Sequence, residues 1–402
     1  MSSELTEDQR NVLKAIVHNE SFYSFDVQRA TPKGEGYMGS LFNISLKGER
    51  NNLELIFKQA EPTDNVEHKM FVRNAYLREI YIYNNVLNQF ENFQKENNVI
   101  NGFTGYAKIY GSSDKENNEY IILENLKGSG YKMWNRKVPM DDEHVALVFS
   151  EYGKFHAVSL AMKEKSPDLY DKLTENLDDF YGRSMSVEES KEMINNVLQI
   201  GFKAVESNDS AAQLFKRFAD VAEKFLLEDM QNLDEQLVVT HADCWCNNML
   251  FKYEGTQEIQ KPNGVCFIDW QLSKIGSPVL DLAYFFFVCT TGNILHDYKK
   301  YLKIYHDSVT ELLIQFSCDV EKVFPFTLLE CHWKKYAKFG LYIALMTLSF
   351  MLCETEVPNW TEFIKYEESD REEIAFEGGS GVSEQGQRII DIINVMAQNN
   401  LI

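Results

Sequence analysis

The feature that most constrains the fold is a polar segment, residues 241–248, that separates two apolar runs in VVTHADCWCNNMLF. An apolar run bounded by polar residues is typical of a buried strand, so the segment is predicted to be a short loop that follows such a strand and precedes another apolar pair. Within it, Asp243 and Asn248 are five positions apart. A carboxylate suits the handling of a proton, and an amide oxygen suits a hard cation such as Mg²⁺. The spacing therefore predicts that one loop directs both groups at a single site, with His241 holding the loop through hydrogen bonds to its backbone.

This loop has three other possible interpretations: a zinc site, a zinc deaminase and a turn without catalytic function. His241, Asp243, Cys244 and Cys246 are zinc-ligand types, but C-x-C lacks the C-x₂-C geometry and no second cysteine pair follows it. A zinc deaminase would need H-x-E and a later P-C-x-x-C, and the sequence has neither. A polar turn without catalytic function remains an alternative for this segment taken alone.

A second carboxylate, Asp269 of GVCFIDWQ, follows a short apolar run. A carboxylate at the end of a buried strand needs a strong partner, and Mg²⁺ that bridges nucleotide phosphates is such a partner. A helix cap is the alternative, but the following QLSKIGSP is loop-like rather than helical. The helix predicted from SPVLDLAYFFF contains Asp281, which is expected to brace the loop around Asp243 rather than to act as a catalyst.

Upstream, the segment GEGYMG places Gly34, Gly36 and Gly39 at G-x-G-x-x-G spacing. In a dinucleotide-binding fold this motif opens a helix, whereas here the alternating SLFNISL predicts a strand. A glycine turn between two strands is the kinase type, whose backbone lies over the phosphates of ATP. A turn that binds no ligand is the alternative for this segment alone.

Lys58 ends the apolar strand LELIFK and is a candidate to hold the α- and β-phosphates. A lysine at a strand end is usually just solvated, so the interpretation depends on the neighbouring glycine loop. The expected partner of Lys58 is Glu79, in the middle of a helix among apolar neighbours, with Glu61 and Glu67 as weaker rivals and a surface ion pair as the alternative. The motifs follow one another in the order found in protein-kinase-like enzymes, and together they predict a site for ATP and Mg²⁺.

The periodicity of the apolar residues predicts two lobes, and the motifs are divided between them. Strands are predicted at 22–30, 37–46, 53–58, 106–111 and 119–123, and helices at 4–19 and 66–94. From residue 141 onward the pattern is helical apart from strands at 237–240 and 265–268, with an acidic mobile loop at 365–384 and a last helix at 385–398. The predicted fold class is α+β, a bilobal protein-kinase-like fold. Its β-rich nucleotide-binding lobe is residues 1–125 and its larger helical lobe is residues 126–402, with the crossover near 124–130.

Composition excludes several classes of protein. A net charge of −21, from 61 acidic and 40 basic residues, disfavours nucleic acid and anionic membranes as partners. The longest apolar stretch, 339–353, is shorter than the roughly 20 residues of a membrane span and is predicted to be a buried helix. The acidic MSSELTEDQRNVLKAIV and an odd number of cysteines, 7, predict a cytoplasmic protein with reduced thiols. No obligate protein partner is inferred.

The chain lacks the H-R-D, D-F-G and A-P-E motifs of protein kinases. It instead resembles the aminoglycoside phosphotransferase and choline kinase superfamily, and within it the ecdysteroid kinase-like (CHK kinase-like) family. The motifs that carry the resemblance are GEGYMGS, REIYIYNNVL, IILENL, GKFHAVSLAM, HADCWCNNMLF, FIDWQ and PVLDLAYFF. They run from Gly34 to Phe286, and the C-terminal RIIDIINVMAQNNLI is similar too, so the resemblance covers nearly the whole chain. The sequence departs from the family at Ala242, where Gly is more frequent, and at Gly36, where Asn is commoner.

The resemblance implies a role for each matching position. Asp243 is expected to be the catalytic base, and Asn248 and Asp269 are expected to bind Mg²⁺. The phosphates of ATP are expected to be bound by Gly34, Gly36, Gly39 and by Lys58, which is held by its partner Glu79. The adenine is expected to be bound by the backbone near Glu124 and Leu126.

The implied activity is ATP- and Mg²⁺-dependent phosphorylation of an alcohol group on a small molecule, with an ecdysteroid or related lipophilic alcohol as the lead acceptor. A choline-type or xenobiotic kinase and a non-catalytic, nucleotide-binding pseudokinase remain alternatives. The acceptor is expected to bind in the helical lobe. That lobe is rich in aromatic residues, most of which are predicted from their helical spacing to pack in the core, while any beside the catalytic loop are candidates to line an apolar pocket. The set is Tyr284, Phe285, Phe286, Phe287, Tyr336, Phe339, Tyr342 and Phe350.

Overall fold

The computed structural model describes residues 5–19, 24–30, 39–48, 52–60, 65–179, 185–231, 233, 236–255, 260–352 and 383–402. Over these ranges a strand-rich N-terminal lobe is followed by a larger helical lobe, which confirms the predicted α+β, bilobal arrangement. Gly34, Gly36 and all but the last two residues of the predicted loop at 365–384 lie outside the described ranges.

The N-terminal lobe is built on a five-stranded antiparallel sheet of order β1-β2-β3-β5-β4. Alternation in β2 places Phe42, Ile44 and Leu46 on the buried face, as the period of a strand requires. The elements in chain order are α1 (Glu7–Asn19), β1 (Ser24–Arg29), β2 (Ser40–Lys47), β3 (Asn52–Gln59), α2 (Val66–Tyr81), a π-helical turn (Ile82–Leu87), α3 (Asn88–Glu96), β4 (Ile109–Ser113) and β5 (Tyr120–Glu124).

The helix pair α2 and α3 joins the two lobes. The apolar residues that follow α2, among them Ile82 and Phe90, belong to the large core that fills the helical lobe rather than to the small cluster beside the sheet. At the end of α2, the buried Arg78 donates hydrogen bonds to the backbone carbonyls of Asn176, Asp178 and Ser273. The lobe boundary between residues 125 and 126 stays a prediction.

The helical lobe is assembled around α8, in which all the residues are buried. This helix begins after Ser277, whose hydroxyl accepts a hydrogen bond from the backbone of Val279, with Pro278 in its first turn. The elements of this lobe are β6 (Lys132–Met133), α4 (Asp142–Lys165), α5 (Pro167–Thr174), α6 (Val187–Val205), α7 (Asp209–Lys224), a π-helical turn (Phe225–Asp229), β7 (Val238–Thr240), β8 (Met249–Gly255), β9 (Gln260–Phe267), β10 (Lys274–Gly276), α8 (Pro278–Cys289), α9 (Asn293–His296), α10 (Tyr298–Gln315), α11 (Val320–Val323), α12 (Phe326–Tyr336), α13 (Lys338–Leu352) and α14 (Glu384–Gln398).

Three strands of this lobe were not predicted. Strand β8 forms a hairpin with β9, and its polar residues Lys252 and Glu254 conceal its strand character in the sequence. Because β9 pairs along this strand, it is longer than the predicted 265–268. The strands β6 and β10 are too short to show a period, and they exist because they pair with β8 and β7. The segment QLSKIGSP is therefore not simply a loop, since it contains Lys274–Gly276 as a strand.

The predicted buried helix at 339–353 is confirmed as α13, which packs against α8 and α14. Within the described ranges, no helix combines the length and the apolar character needed to cross a bilayer.

Close packing of α4 against α10 depends on Gly153. A Cβ atom at this position would lie 2.6 Å from the carbonyl oxygen of Tyr305 and 2.7 Å from Cβ of Ser308, both in α10. We therefore expect Gly153→Ala to reduce the free energy of unfolding by about 2 kcal/mol, measured by urea denaturation, because neither neighbour is a flexible side-chain end. Gly264→Ala is the control, since its Cβ would meet its nearest neighbours at an ordinary 3.5 Å. Equal effects of the two substitutions would contradict the packing argument.

Candidate active site

A buried carboxylate sets the shape of the loop between β7 and β8. Oδ2 of Asp281, on α8, accepts a hydrogen bond from the backbone N–H of His241 at 2.7 Å, and Oδ1 accepts one from Ala242 at 2.9 Å. His156 of α4 contacts Oδ2 at 3.2 Å. Burial alone would raise the pKa of the Asp281 carboxyl, but these hydrogen bonds and the nearby imidazoles of His156 and His241 bring it below its ordinary value. The predicted bracing by Asp281 is confirmed.

The loop backbone turns sharply at Ala242, which has a φ of 66°. This is the left-handed region, where a Cβ atom is disfavoured, so the geometry explains why a glycine suits this position. His241 is fully engaged with the backbone around it: Nε2 lies 2.9 Å from the carbonyl oxygen of Ile268, and Nδ1 accepts a hydrogen bond from the N–H of Asp243 at 3.2 Å. Its imidazole is thus a structural element of the loop and is not directed at a zinc ion.

Each oxygen of the Asp243 carboxylate accepts a hydrogen bond from a side chain. Asn248 donates its amide N–H to Oδ2 at 2.7 Å, and the Tyr284 hydroxyl donates to Oδ1 at 3.0 Å. Burial, followed by the negative charge of Asp269, raises the pKa of Asp243 to about 7. A carboxyl that titrates near neutral pH is suited to receive a proton.

Lys58, on strand β3, forms ion pairs with one carboxylate of each lobe. Its ammonium lies 2.8 Å from Glu79 Oε2 on α2 and 2.7 Å from Asp269 Oδ1, which follows β9. Burial alone would lower the pKa of Lys58, but the charges of Asp269 and Glu79 raise it well above its ordinary value. Burial raises the pKa of Glu79, the charge of Lys58 offsets part of this increase, and the negative charge of Asp269 adds to it. Of the rivals to Glu79, Glu61 and the side chain of Glu67 lie outside the described residues.

The site offers oxygen ligands of the kind that Mg²⁺ prefers. Asn248 donates from its amide nitrogen to the backbone carbonyl and the carboxylate of Asp243, so a bound cation would meet its amide oxygen instead. Asp269 has the left-handed φ of 65°, and its partly exposed carboxylate lines the cavity beside Lys58. In the described part of the chain no group of three or more His, Cys, Asp or Glu forms a metal site. Two protein ligands with nucleotide phosphates completing the shell would suit Mg²⁺.

Of the three glycines at G-x-G-x-x-G spacing, only Gly39 is described. A Cβ atom there would collide with the carbonyl oxygen of Gln59 and lie 2.5 Å from the Tyr76 hydroxyl, so a larger residue would not fit. Glu124 ends β5 opposite Leu55 of β3, on the same sheet as Lys58. The carbonyl of Leu126 accepts hydrogen bonds from the N–H groups of Ser129 and Tyr131.

A cavity of about 1400 Å³ opens beside Asp243, Asn248 and Asp269 and extends between the helices of the larger lobe. It is lined mainly by apolar side chains, among them Ile194, Leu226, Leu227, Phe339, Ile343 and Phe350. The eight aromatic residues named from the sequence divide equally, so more of them line the cavity than the prediction of mostly core packing implied. Four line the cavity, namely Tyr284, Phe339, Tyr342 and Phe350. The other four are core residues, namely Phe285, Phe286, Phe287 and Tyr336.

Three of the carboxylates that line this cavity are paired with cations. Asp178 lies 3.1 Å from Arg78, Asp179 lies 2.7 Å from Lys274, and Glu223 lies 3.0 Å from Lys191. Sequence reasoning identified neither these pairs nor the contact of Tyr284 with Asp243. The only signal for Tyr284 was its position three residues after Asp281, on the same face of a helix.

These features define the class of the protein. A five-stranded lobe with the Lys58–Glu79 pair, followed by a helical lobe with Asp243, Asn248 and Asp269 at its entrance, is a protein-kinase-like fold. A sequence model of the ecdysteroid kinase-like family matches residues 33–317, and the chain belongs to that family.

The individual proteins and solved structures that resemble this chain have low sequence identity to it. A 4-hydroxytryptamine kinase from Psilocybe cyanescens is 26% identical over 185 residues, which are 44% of this chain and 46% of that protein, so the match spans less than half of the relative's length. Among solved structures, an ethanolamine kinase from Plasmodium vivax is 14% identical with a TM-score of 0.42, over 99% of this chain and 91% of that one. The GDP complex of an aminoglycoside 2'-phosphotransferase is 9% identical with a TM-score of 0.45, over 96% and 98%.

The raised pKa of Asp243 predicts a pH-dependent cost to stability in the metal-free protein. Because the carboxyl has a pKa of about 7 when folded and an ordinary value of 3.8 otherwise, its stabilising protonation is complete below about pH 4 and is lost as the pH rises through 7. In EDTA at pH 8, the free energy of unfolding of Asp243→Asn should therefore exceed that of the wild type by about 1–3 kcal/mol, which is measured as a higher Tm. At pH 5 the difference should be much smaller. The exposed Asp171→Asn serves as control. A Tm difference independent of pH would contradict this.

Proposed function

We propose that the protein is a Mg²⁺- and ATP-dependent kinase that phosphorylates a hydroxyl group of a small molecule. The observation that carries the proposal is the convergence of Asp243, Asn248 and Asp269 with Lys58 at one end of a large, mainly apolar cavity. Family membership supports it, and so does the similarity to a protein named as a kinase of 4-hydroxytryptamine.

In the proposed reaction the residues of this chain bind, orient and move one proton. Lys58, held by Glu79, would contact the nucleotide phosphates. Asn248 and Asp269 would hold Mg²⁺, which neutralises charge on the phosphates when it is bound. Asp243 would accept the proton of the acceptor hydroxyl as that oxygen attacks the γ-phosphorus in line, while the bond from the γ-phosphorus to the β–γ bridging oxygen breaks and ADP leaves. Positioning and charge would supply most of the rate enhancement.

The nucleotide is proposed to lie between the sheet and the helical lobe. The glycine turn of Gly34, Gly36 and Gly39 would cover the phosphates, and the backbone near Glu124 and Leu126 would bind the adenine. In support, Glu124 ends β5 beside β3, the strand that carries Lys58, and hydrogen bonds from Ser129 and Tyr131 to the Leu126 carbonyl fix the turn that follows.

We propose a neutral, lipophilic alcohol as the acceptor, with an ecdysteroid as the lead candidate. The cavity is larger than the roughly 300–1,000 Å³ of ordinary ligand pockets, so it has room for a bulky ring system. A cationic acceptor such as choline would need an uncompensated carboxylate away from the phosphates. Of the four carboxylates on that part of the wall, Asp178, Asp179 and Glu223 are each paired with a cation, and the fourth is Glu228. Other lipophilic alcohols, including xenobiotics, fit the same description.

Activity is tested by ADP formation and by the mass of the product, with an ecdysteroid, choline and 4-hydroxytryptamine as acceptors. We expect Mg²⁺-dependent transfer to the ecdysteroid, and a loss of kcat in Asp243→Asn of about 10²–10⁴-fold with the KM for ATP nearly unchanged, because the proton acceptor is removed. Asp171→Asn, an exposed carboxylate-to-amide change, should retain activity.

The competing function is a pseudokinase, which binds nucleotide without turnover. In that case ATP with Mg²⁺ would raise Tm, yet no acceptor in the panel would be phosphorylated. Preferential transfer to choline or to 4-hydroxytryptamine would retain the kinase assignment and refute the neutral acceptor.

A further inference from the structure

The hydroxyl of Tyr284 lies between the acceptor cavity and Asp243. It donates to Oδ1 of Asp243 at 3.0 Å, while Asn248 donates to Oδ2 at 2.7 Å. Donors on both oxygens prevent the carboxylate from rotating about its Cβ–Cγ bond, which a single donor would permit. Asn248 belongs to the same loop as Asp243, so it moves with the loop, whereas Tyr284 belongs to α8 and provides a reference outside the loop.

The helix that carries Tyr284 also determines the path of the loop. Asp281 and Tyr284 are three residues apart, so they lie on one face of α8. Asp281 accepts the backbone N–H groups of His241 and Ala242, and Tyr284 contacts the side chain of Asp243. One helical turn thus fixes the main chain of the loop and the plane of its reactive carboxylate together.

The position of α8 is itself restrained by close packing. A Cβ atom at Gly340 of α13 would collide with the carbonyl oxygen of Ala283 and lie 2.6 Å from the ring of Phe287, so the two helices are in contact on both sides of Tyr284. Thr347 of α13, which also lines the cavity, lies close enough to the Tyr284 hydroxyl to influence its pKa. The side chain therefore has little freedom to turn away from Asp243.

We propose that Tyr284 is a positioning residue for phosphoryl transfer, and that its hydroxyl fixes the plane of the Asp243 carboxylate so that Oδ1 meets the acceptor hydroxyl as it enters from the cavity. The inference rests on the proposed kinase function, because it assigns Asp243 the role of proton acceptor. Tyr284 forms no bond to the transferred group. It acts by keeping Asp243 in the geometry that transfer requires.

The test is Tyr284→Phe, which removes the hydroxyl and keeps the ring in the cavity wall. We expect kcat to fall by about 10–100-fold, since misplacing a reacting group by a small distance has effects of this size, with KM values for ATP and acceptor within about threefold of the wild type. The matched control is Tyr301→Phe, which removes the hydroxyl of a buried tyrosine that donates to Asp142 and does not line the cavity. Its kcat and both KM values should stay close to those of the wild type.

Two kinetic outcomes would overturn the proposal. An unchanged kcat in Tyr284→Phe would show that Asp243 needs no second donor. A raised acceptor KM with unchanged kcat would show that Tyr284 is only part of the cavity wall.

Crystal structures of the wild type and Tyr284→Phe with Mg²⁺ and a non-hydrolysable ATP analogue provide a measurement that does not need turnover. We expect the Asp243 carboxylate to rotate out of its wild-type plane in the variant, and an unrotated carboxylate would refute the positioning role. If the wild type phosphorylates no acceptor, the proposed function fails, and these two structures alone decide the role of Tyr284.

Discussion

The site depends on one buried charge, the carboxylate of Asp281. Two consecutive backbone N–H groups, of His241 and Ala242, point at its two oxygens. Consecutive amides can converge on one carboxylate only if the chain between them turns sharply, and the left-handed φ of Ala242 provides that turn. A buried carboxylate without donors would take up a proton, whereas here its donors and His156 keep its pKa low. The shape of the loop therefore follows from the need to satisfy this charge.

A second group of charges, the ion pairs of Lys58, links the two lobes. Lys58 belongs to the sheet, Glu79 to the helix that docks on the larger lobe, and Asp269 to the loop after β9. Because two carboxylates compete for one ammonium group, the arrangement carries a net negative charge without a ligand. A divalent cation would compensate for this charge while the phosphates occupy Lys58, so nucleotide and metal would be bound together rather than separately.

The parts of the site that were predictable from the sequence are those for which local spacing determines geometry. Asp243 and Asn248 share one short loop, so their hydrogen bond follows from five positions of chain. The order of motifs placed Lys58 and Asp269, 211 residues apart, at one site for ATP and Mg²⁺, but their direct ion pair was not predicted. The contact of Tyr284 with Asp243 and the pairing of Arg78 with Asp178 were not predictable either, because they depend on the rotation of packed helices, which no local pattern encodes. The short strands β6 and β10 escaped prediction for the same reason, since their partners alone define them.

The acidic composition of the chain gives little guidance on the acceptor, because local pairing overrides net charge. With a net charge of −21, a site for a cation would be the simple expectation. Yet Asp178, Asp179 and Glu223 each have a cation within 3.1 Å, so these three of the four carboxylates on the wall away from Asp243 and Asp269 are paired, and the fourth is Glu228. At the other end, Asp269 shares Lys58 with Glu79, and the Asp243 carboxylate is held by hydrogen bonds from Asn248 and Tyr284. Under the proposed function Mg²⁺ and phosphate would bind at that end, so the pairing along the rest of the wall supports the proposal of an acceptor that is apolar along its length and polar at one hydroxyl.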